Sequence, residues 1–83
     1  MQLSAEEIRA ARALLDWSQS DLVDHTLLGM RTIKRGEAGG RLTAAADLSI
    51  RRAFEEAGVV FLAPDAIAGL EMIAGVALVA PKR

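Results

Sequence analysis

The chain has no cysteine, one histidine, two prolines and almost no net charge. Without cysteine there is no disulfide to staple the fold and no thiol nucleophile. With a single histidine beside that, a zinc site is excluded in practice. The absence of cysteine fits a reducing compartment. A formal net charge of −1 gives no bulk attraction to nucleic acid or to an anionic membrane. The first residues lack a basic start followed by an apolar block, so no signal peptide is read. The apolar tail is interrupted by Pro64, Asp65 and Glu71. Its uncharged runs fall far short of the roughly 20 residues that a membrane span needs. Together these absences predict a soluble, cytoplasmic protein with no membrane association.

What is present starts with length. Eighty-three residues make one domain, and 52% of them are hydrophobic. A chain this short buries only about 60% of its unfolded surface, so its core is small. Either it packs unusually well or it covers apolar surface with a second chain. Catalysis is not expected. Glu6/Glu7 and Glu55/Glu56 are adjacent pairs whose side chains diverge. Gly36, Gly39 and Gly40 lack the strand-then-helix context of a phosphate-binding loop. No cofactor or metal site is read.

Helix starts are explicit. Ser4 and Glu7 form a capping box with Leu3 and Ile8 at the staple positions, which predicts a helix over residues 5–15. Ser18 and Asp21 repeat the signal, with Trp17 and Leu22 as the staple pair, and predict a short helix over 19–25. A helical rhythm resumes over 30–37 around Ile33, and Ala38-Gly39-Gly40 ends it. Thr43 caps a longer helix over 44–57, stopped by Gly58. After Gly58 the pattern changes. Residues 59–63 and 76–80 are apolar and β-branched, each followed by a proline, and both read as strands. Residues 65–75 read as a short helix capped by Asp65, which Gly69 weakens, or as a loop.

Charge is unevenly placed. From Arg31 to Arg52 there are six basic residues against Glu37 and Asp47, a local net of +4. A local field of this kind steers a polyanion even when the total is near zero. Two short helices joined by a few residues, the second of them basic, make the helix-turn-helix arrangement. The second helix of such a pair is narrow enough to enter the DNA major groove while the first crosses the backbone.

Here the sequence resembles the phage-repressor/Cro-like (XRE) helix-turn-helix family. The residues that carry the likeness are Ala13-Leu-Leu-Asp-Trp-Ser-Gln-Ser-Asp-Leu-Val23 and Arg31-Thr-Ile-Lys-Arg-Gly-Glu-Ala-Gly39. It covers about residues 3–60. The resemblance implies a mainly α fold, a four- to five-helix repressor-like domain over 1–58. By position it places Met30, Arg31 and Arg35 against base edges. Ser18 and Gln19, at the start of the second helix, and Thr32, Lys34 and Arg41 are placed against the DNA backbone. Ile33 and Glu37 match structural positions, an apolar anchor and a helix-end carboxylate. The chemistry of arginine agrees independently, because its planar fork matches guanine O6 and N7. Three positions depart from the family pattern. Leu27 stands where it usually has a turn glycine, Gly29 where it has a Ser or Thr cap, and Gly36 where it has a large apolar anchor.

Residues 59–83 read as a strand/helix/strand extension of the same domain. Two short strands leave an apolar edge, and such edges are normally covered or paired. This predicts a homodimer with contacts from Val59, Phe61, Leu62, Ile73, Val76, Leu78 and Val79. A dimer would set its two recognition helices about 34 Å apart, one turn of DNA. The expected function is a dimeric transcriptional repressor on a two-fold operator of double-stranded DNA. The alternative is a protein-interaction module on the same scaffold, an antiactivator or antitoxin-like protein with a regulatory protein partner.

Overall fold

The computed structural model of the chain describes residues 2–61 and 76–78. Within them the fold is mainly helical, and each helix begins where the sequence supplies a cap. Helix α1 (Ala5–Leu15) opens with the full Ser4–Glu7 box: the Glu7 N–H donates to Ser4 Oγ at 3.0 Å, and the Ser4 N–H to Glu7 Oε1 at 2.8 Å. Leu3 and Ile8, on either side of the box, are both buried. Helix α2 (Gln19–Thr26) repeats the device with Ser18 and Asp21. It runs one residue beyond the expected end because the Thr26 hydroxyl donates to the Leu22 carbonyl and accepts from the Leu28 N–H.

Leu27, Leu28 and Gly29 connect α2 to helix α3 (Met30–Glu37). Leu27 sits at φ 61°, a left-handed conformation that costs a residue with a β-carbon roughly 1–2 kcal/mol. The end of α3 is a Schellman turn: the Gly40 N–H donates to the Arg35 carbonyl and the Gly39 N–H to that of Gly36. Gly39, at φ 91°, supplies the left-handed residue this turn requires. Helix α4 (Ala44–Glu56) is capped by Thr43, and the chain then enters strand β1 (Val59–Phe61). Strand β2 (Val76–Leu78) pairs with it antiparallel, Val60 opposite Ala77. β1 lies beside α4, and β2 beside α1. The outer parts of the expected strands, residues 62–63 and 79–80, and the undecided stretch 65–75 lie outside the described residues.

The four described helices and β1 converge on one core. Ile8, Leu22, Ile33, Ile50 and Phe54 are fully buried, one or two from each helix, and Val59 closes the side under the ribbon. Each is worth about 1.5–3 kcal/mol of burial. The core is aromatic at one corner. Trp17 stacks on His25 at 4.1 Å between ring centroids and on Phe54 at 5.7 Å, so it is a packing residue. Gly36 explains one departure from the family pattern. A β-carbon there would stand 3.2–3.3 Å from the side-chain methyls of Leu42 and Ile8. The glycine lets α3 lie closer to α1 than a large anchor would allow, and Leu42 fills the place of that anchor.

Candidate nucleic-acid interface

α3 has two faces set by helical spacing. Ile33, Gly36 and Glu37 are buried, while Arg31, Lys34 and Arg35, at the same i, i+3, i+4 spacing, are exposed. Among the described residues none of the three cations is held in an ion pair. Three positive charges thus share one short face with no described carboxylate paired to them. Met30 and Thr32 flank this face and are half-buried. Arg41 is exposed just beyond the turn that ends α3, beside a shallow depression formed with Gln2, Leu42, Ala44 and Asp47.

The back of α3 is fixed by a charged network. Glu37 is 7% exposed, and its carboxylate receives both Arg12 Nε at 2.5 Å and Arg12 Nη2 at 2.8 Å. This two-point geometry is the strong form of a carboxylate–guanidinium pair. Arg12 Nη1 donates to the Trp17 carbonyl, tying the end of α1 to the start of α2. Gln19 Nε2 adds a third donor to Glu37 at 3.2 Å, and Arg9 Nη1 donates to the Glu37 backbone carbonyl. One carboxylate therefore holds α1, α2 and α3 in register. Among the described residues no buried side-chain nitrogen or oxygen lacks a partner.

This network changes the picture of Gln19. Its amide is turned toward Glu37 and leaves one N–H for any outside acceptor. The α2 start is also occupied, because the Ser18–Asp21 capping box takes the N–H groups of both residues. Hydrogen bonds from the Ser18 backbone and hydroxyl hold the Asp21 carboxyl below its ordinary pKa. A carboxylate thus already stands at the α2 N-terminus, where a phosphate would be attracted. Ser18 itself is exposed.

The expected dimer residues divide. Val59 is 2% exposed, its side chain covered by the chain's own core, so it offers no surface to a second copy. Strand β1 alternates, and the outward residue is Val60, which is 38% exposed and was not among those expected. Phe61 is half-buried against Phe54, with the Arg51 guanidinium 5.2 Å above its ring. Val76 and Leu78 are placed only as backbone of β2. Leu62, Ile73 and Val79 lie outside the described residues.

Arg12 and Arg9 went unnoticed in the sequence. The only available signal was a lone carboxylate, Glu37, on an otherwise cationic helix. No helix among the described residues is long and apolar enough to cross a membrane. Comparisons with protein-family models, curated proteins and solved structures found no match to this chain.

Proposed function

We propose that the chain is a sequence-specific DNA-binding transcriptional regulator of the repressor/Cro-like helix-turn-helix type, working as a homodimer on a two-fold operator. The observation that carries the reading is the cationic face of α3, Arg31, Lys34 and Arg35, unpaired among the described residues, on a helix whose opposite face is locked by Ile33, Gly36 and Glu37. A rigid rod with unneutralised cations on its outer side suits a major groove.

In this reading α2 crosses the phosphate backbone and α3 enters the groove. Arg31 and Arg35 donate to guanine edges, and the half-buried Met30 offers its thioether end to a thymine methyl. Lys34, Thr32, Arg41 and Ser18 meet phosphates, and Gln19 uses its remaining amide hydrogen. Repression follows from occupying promoter DNA in the cytoplasm. No catalytic activity is assigned to the chain. Val60, the outward residue of β1, replaces Val59 as the nearest candidate for a dimer contact.

The test is a binding-site selection from a randomised duplex library, followed by titration of the recovered duplex. Arg31→Ala and Arg35→Ala each lower preference for it over a scrambled duplex by about 5- to 150-fold, the value of one bidentate base contact. Lys34→Ala weakens both duplexes alike and reduces the salt slope by about 1. Selection that enriches no sequence, or a double arginine variant that binds like the parent, overturns the reading.

One observation favours the second reading, a protein-interaction module. Leu27 is 90% exposed and held at φ 61°. A strained, exposed leucine between α2 and α3 is a candidate anchor for a protein partner. If Leu27→Gly abolishes capture of a partner from lysate while no duplex is enriched, the module reading replaces the first.

A further inference from the structure

The turn after α3 holds an arrangement that the Schellman geometry alone does not require. Gly40 donates its N–H to the Arg35 carbonyl at 2.8 Å, which fixes its α-carbon beside the residue that begins the turn. A β-carbon built on Gly40 would stand 2.5 Å from Arg35 Cγ and 3.4 Å from Arg35 Cδ. The first distance is closer than real β-carbons approach. The methylene stem of Arg35 therefore lies across the bare face of Gly40. Unlike Gly39, Gly40 does not adopt a left-handed φ. A β-carbon there would also meet the Arg35 carbonyl oxygen at 3.1 Å, a tight contact, but the nearest obstacle is the Arg35 stem.

We infer that Gly40 is a positioning residue for Arg35: its missing side chain is the seat that sets the direction in which the guanidinium leaves α3. The inference rests on the DNA reading and names what aims one of its base contacts. Arginine has many rotamers, and each one frozen on binding lowers affinity. A stem laid on the turn before DNA arrives removes several of them. It also fixes where the planar fork points, and bidentate pairing with a guanine edge depends on that direction. A β-carbon at position 40 pushes the stem off its seat while the charge stays on the helix. Specific binding then suffers and phosphate attraction does not.

The experiment is a double-mutant cycle of Gly40→Ala and Arg35→Ala on the duplex selected by the wild-type chain, against a scrambled duplex of equal length. Gly40→Ala is expected to lower the preference about tenfold, within the range of one bidentate contact, and to leave scrambled binding unchanged. In the Arg35→Ala background it costs nothing further. Gly39→Ala, which meets open space but strains a φ of 91°, serves as the structural control. It lowers thermal stability and keeps the preference. In the free wild-type protein, NMR is expected to show a nuclear Overhauser contact between the Arg35 γ-protons and the Gly40 α-protons. Absence of that contact overturns the inference. So does a Gly40→Ala protein that keeps full preference, or one that loses as much without Arg35. A wild-type chain with no sequence preference overturns the DNA reading as well, so the two failures are distinguishable.

Discussion

Replacing Glu37 with glutamine keeps the shape of the side chain and removes its charge. The wild-type carboxylate, 6% exposed, accepts two charge-assisted bonds from Arg12 and one bond from Gln19. Breaking one partner of a buried ion pair costs about 3–5 kcal/mol, since the other charge is left uncompensated. Arg12 is not fully buried: its side chain is 21% exposed, and Nη1 keeps its bond to the Trp17 carbonyl. The glutamine oxygen also retains one neutral acceptor. The discounted cost is about 2–3 kcal/mol. For a domain of this size that lowers the melting temperature by roughly 8–24 °C. Urea unfolding followed by circular dichroism measures it, with an unchanged m-value expected. Arg12→Met should cost at least as much, because it strands the more buried partner. The pair Arg12→Met/Glu37→Leu should cost less than Arg12→Met and Glu37→Leu summed. A cost below about 0.5 kcal/mol for Glu37→Gln, within the range of an ordinary surface change, would refute the idea that this carboxylate holds three helices together.

Other outcomes follow from single positions. Leu27→Gly should raise stability by about 1 kcal/mol in thermal melts, because glycine adopts φ 61° without steric cost and the leucine is 90% exposed. Gly36→Leu, which restores the apolar residue typical of the resembled family, should destabilise by about 2 kcal/mol or more, since Leu42 and Ile8 already fill that space. The Asp21 carboxyl has a pKa lowered in the fold, so its contribution is complete above the ordinary value of 3.8 and is lost as pH falls through the lowered one. Asp21→Asn should therefore be less stable than wild type at neutral pH, and the difference should vanish in urea melts once the pH is well below 3.8.

Local signals were the legible part of the fold. Both serine boxes, Thr43 and the Gly39–Gly40 stop act through neighbours within a few positions, and α1, α3 and the start of α4 fall where those residues place them. The cationic face of α3 was legible for the same reason, since helical spacing alone separates Arg31, Lys34 and Arg35 from Ile33. What could not be read depends on contacts across the chain. Arg12 and Glu37 are 25 positions apart, and the lone carboxylate on a cationic helix does not say which arginine it pairs with. Gly36 and Gly40 look like punctuation, yet one is a close approach between helices and the other lies under an arginine stem. Val59 and Val60 have the same composition, and only the register of β1 decides that the first is covered and the second faces outward.

The central claim is that the outer face of α3 meets DNA. An NMR titration of the labelled chain with its selected duplex tests this most directly. Amide shifts and Arg side-chain signals should move along Met30–Glu37, at the α2 start and at Arg41, while the Ile50 and Phe54 core signals stay in place. Shifts confined to α4 and β1, or an α3 whose arginine signals are unmoved by saturating duplex, would contradict it.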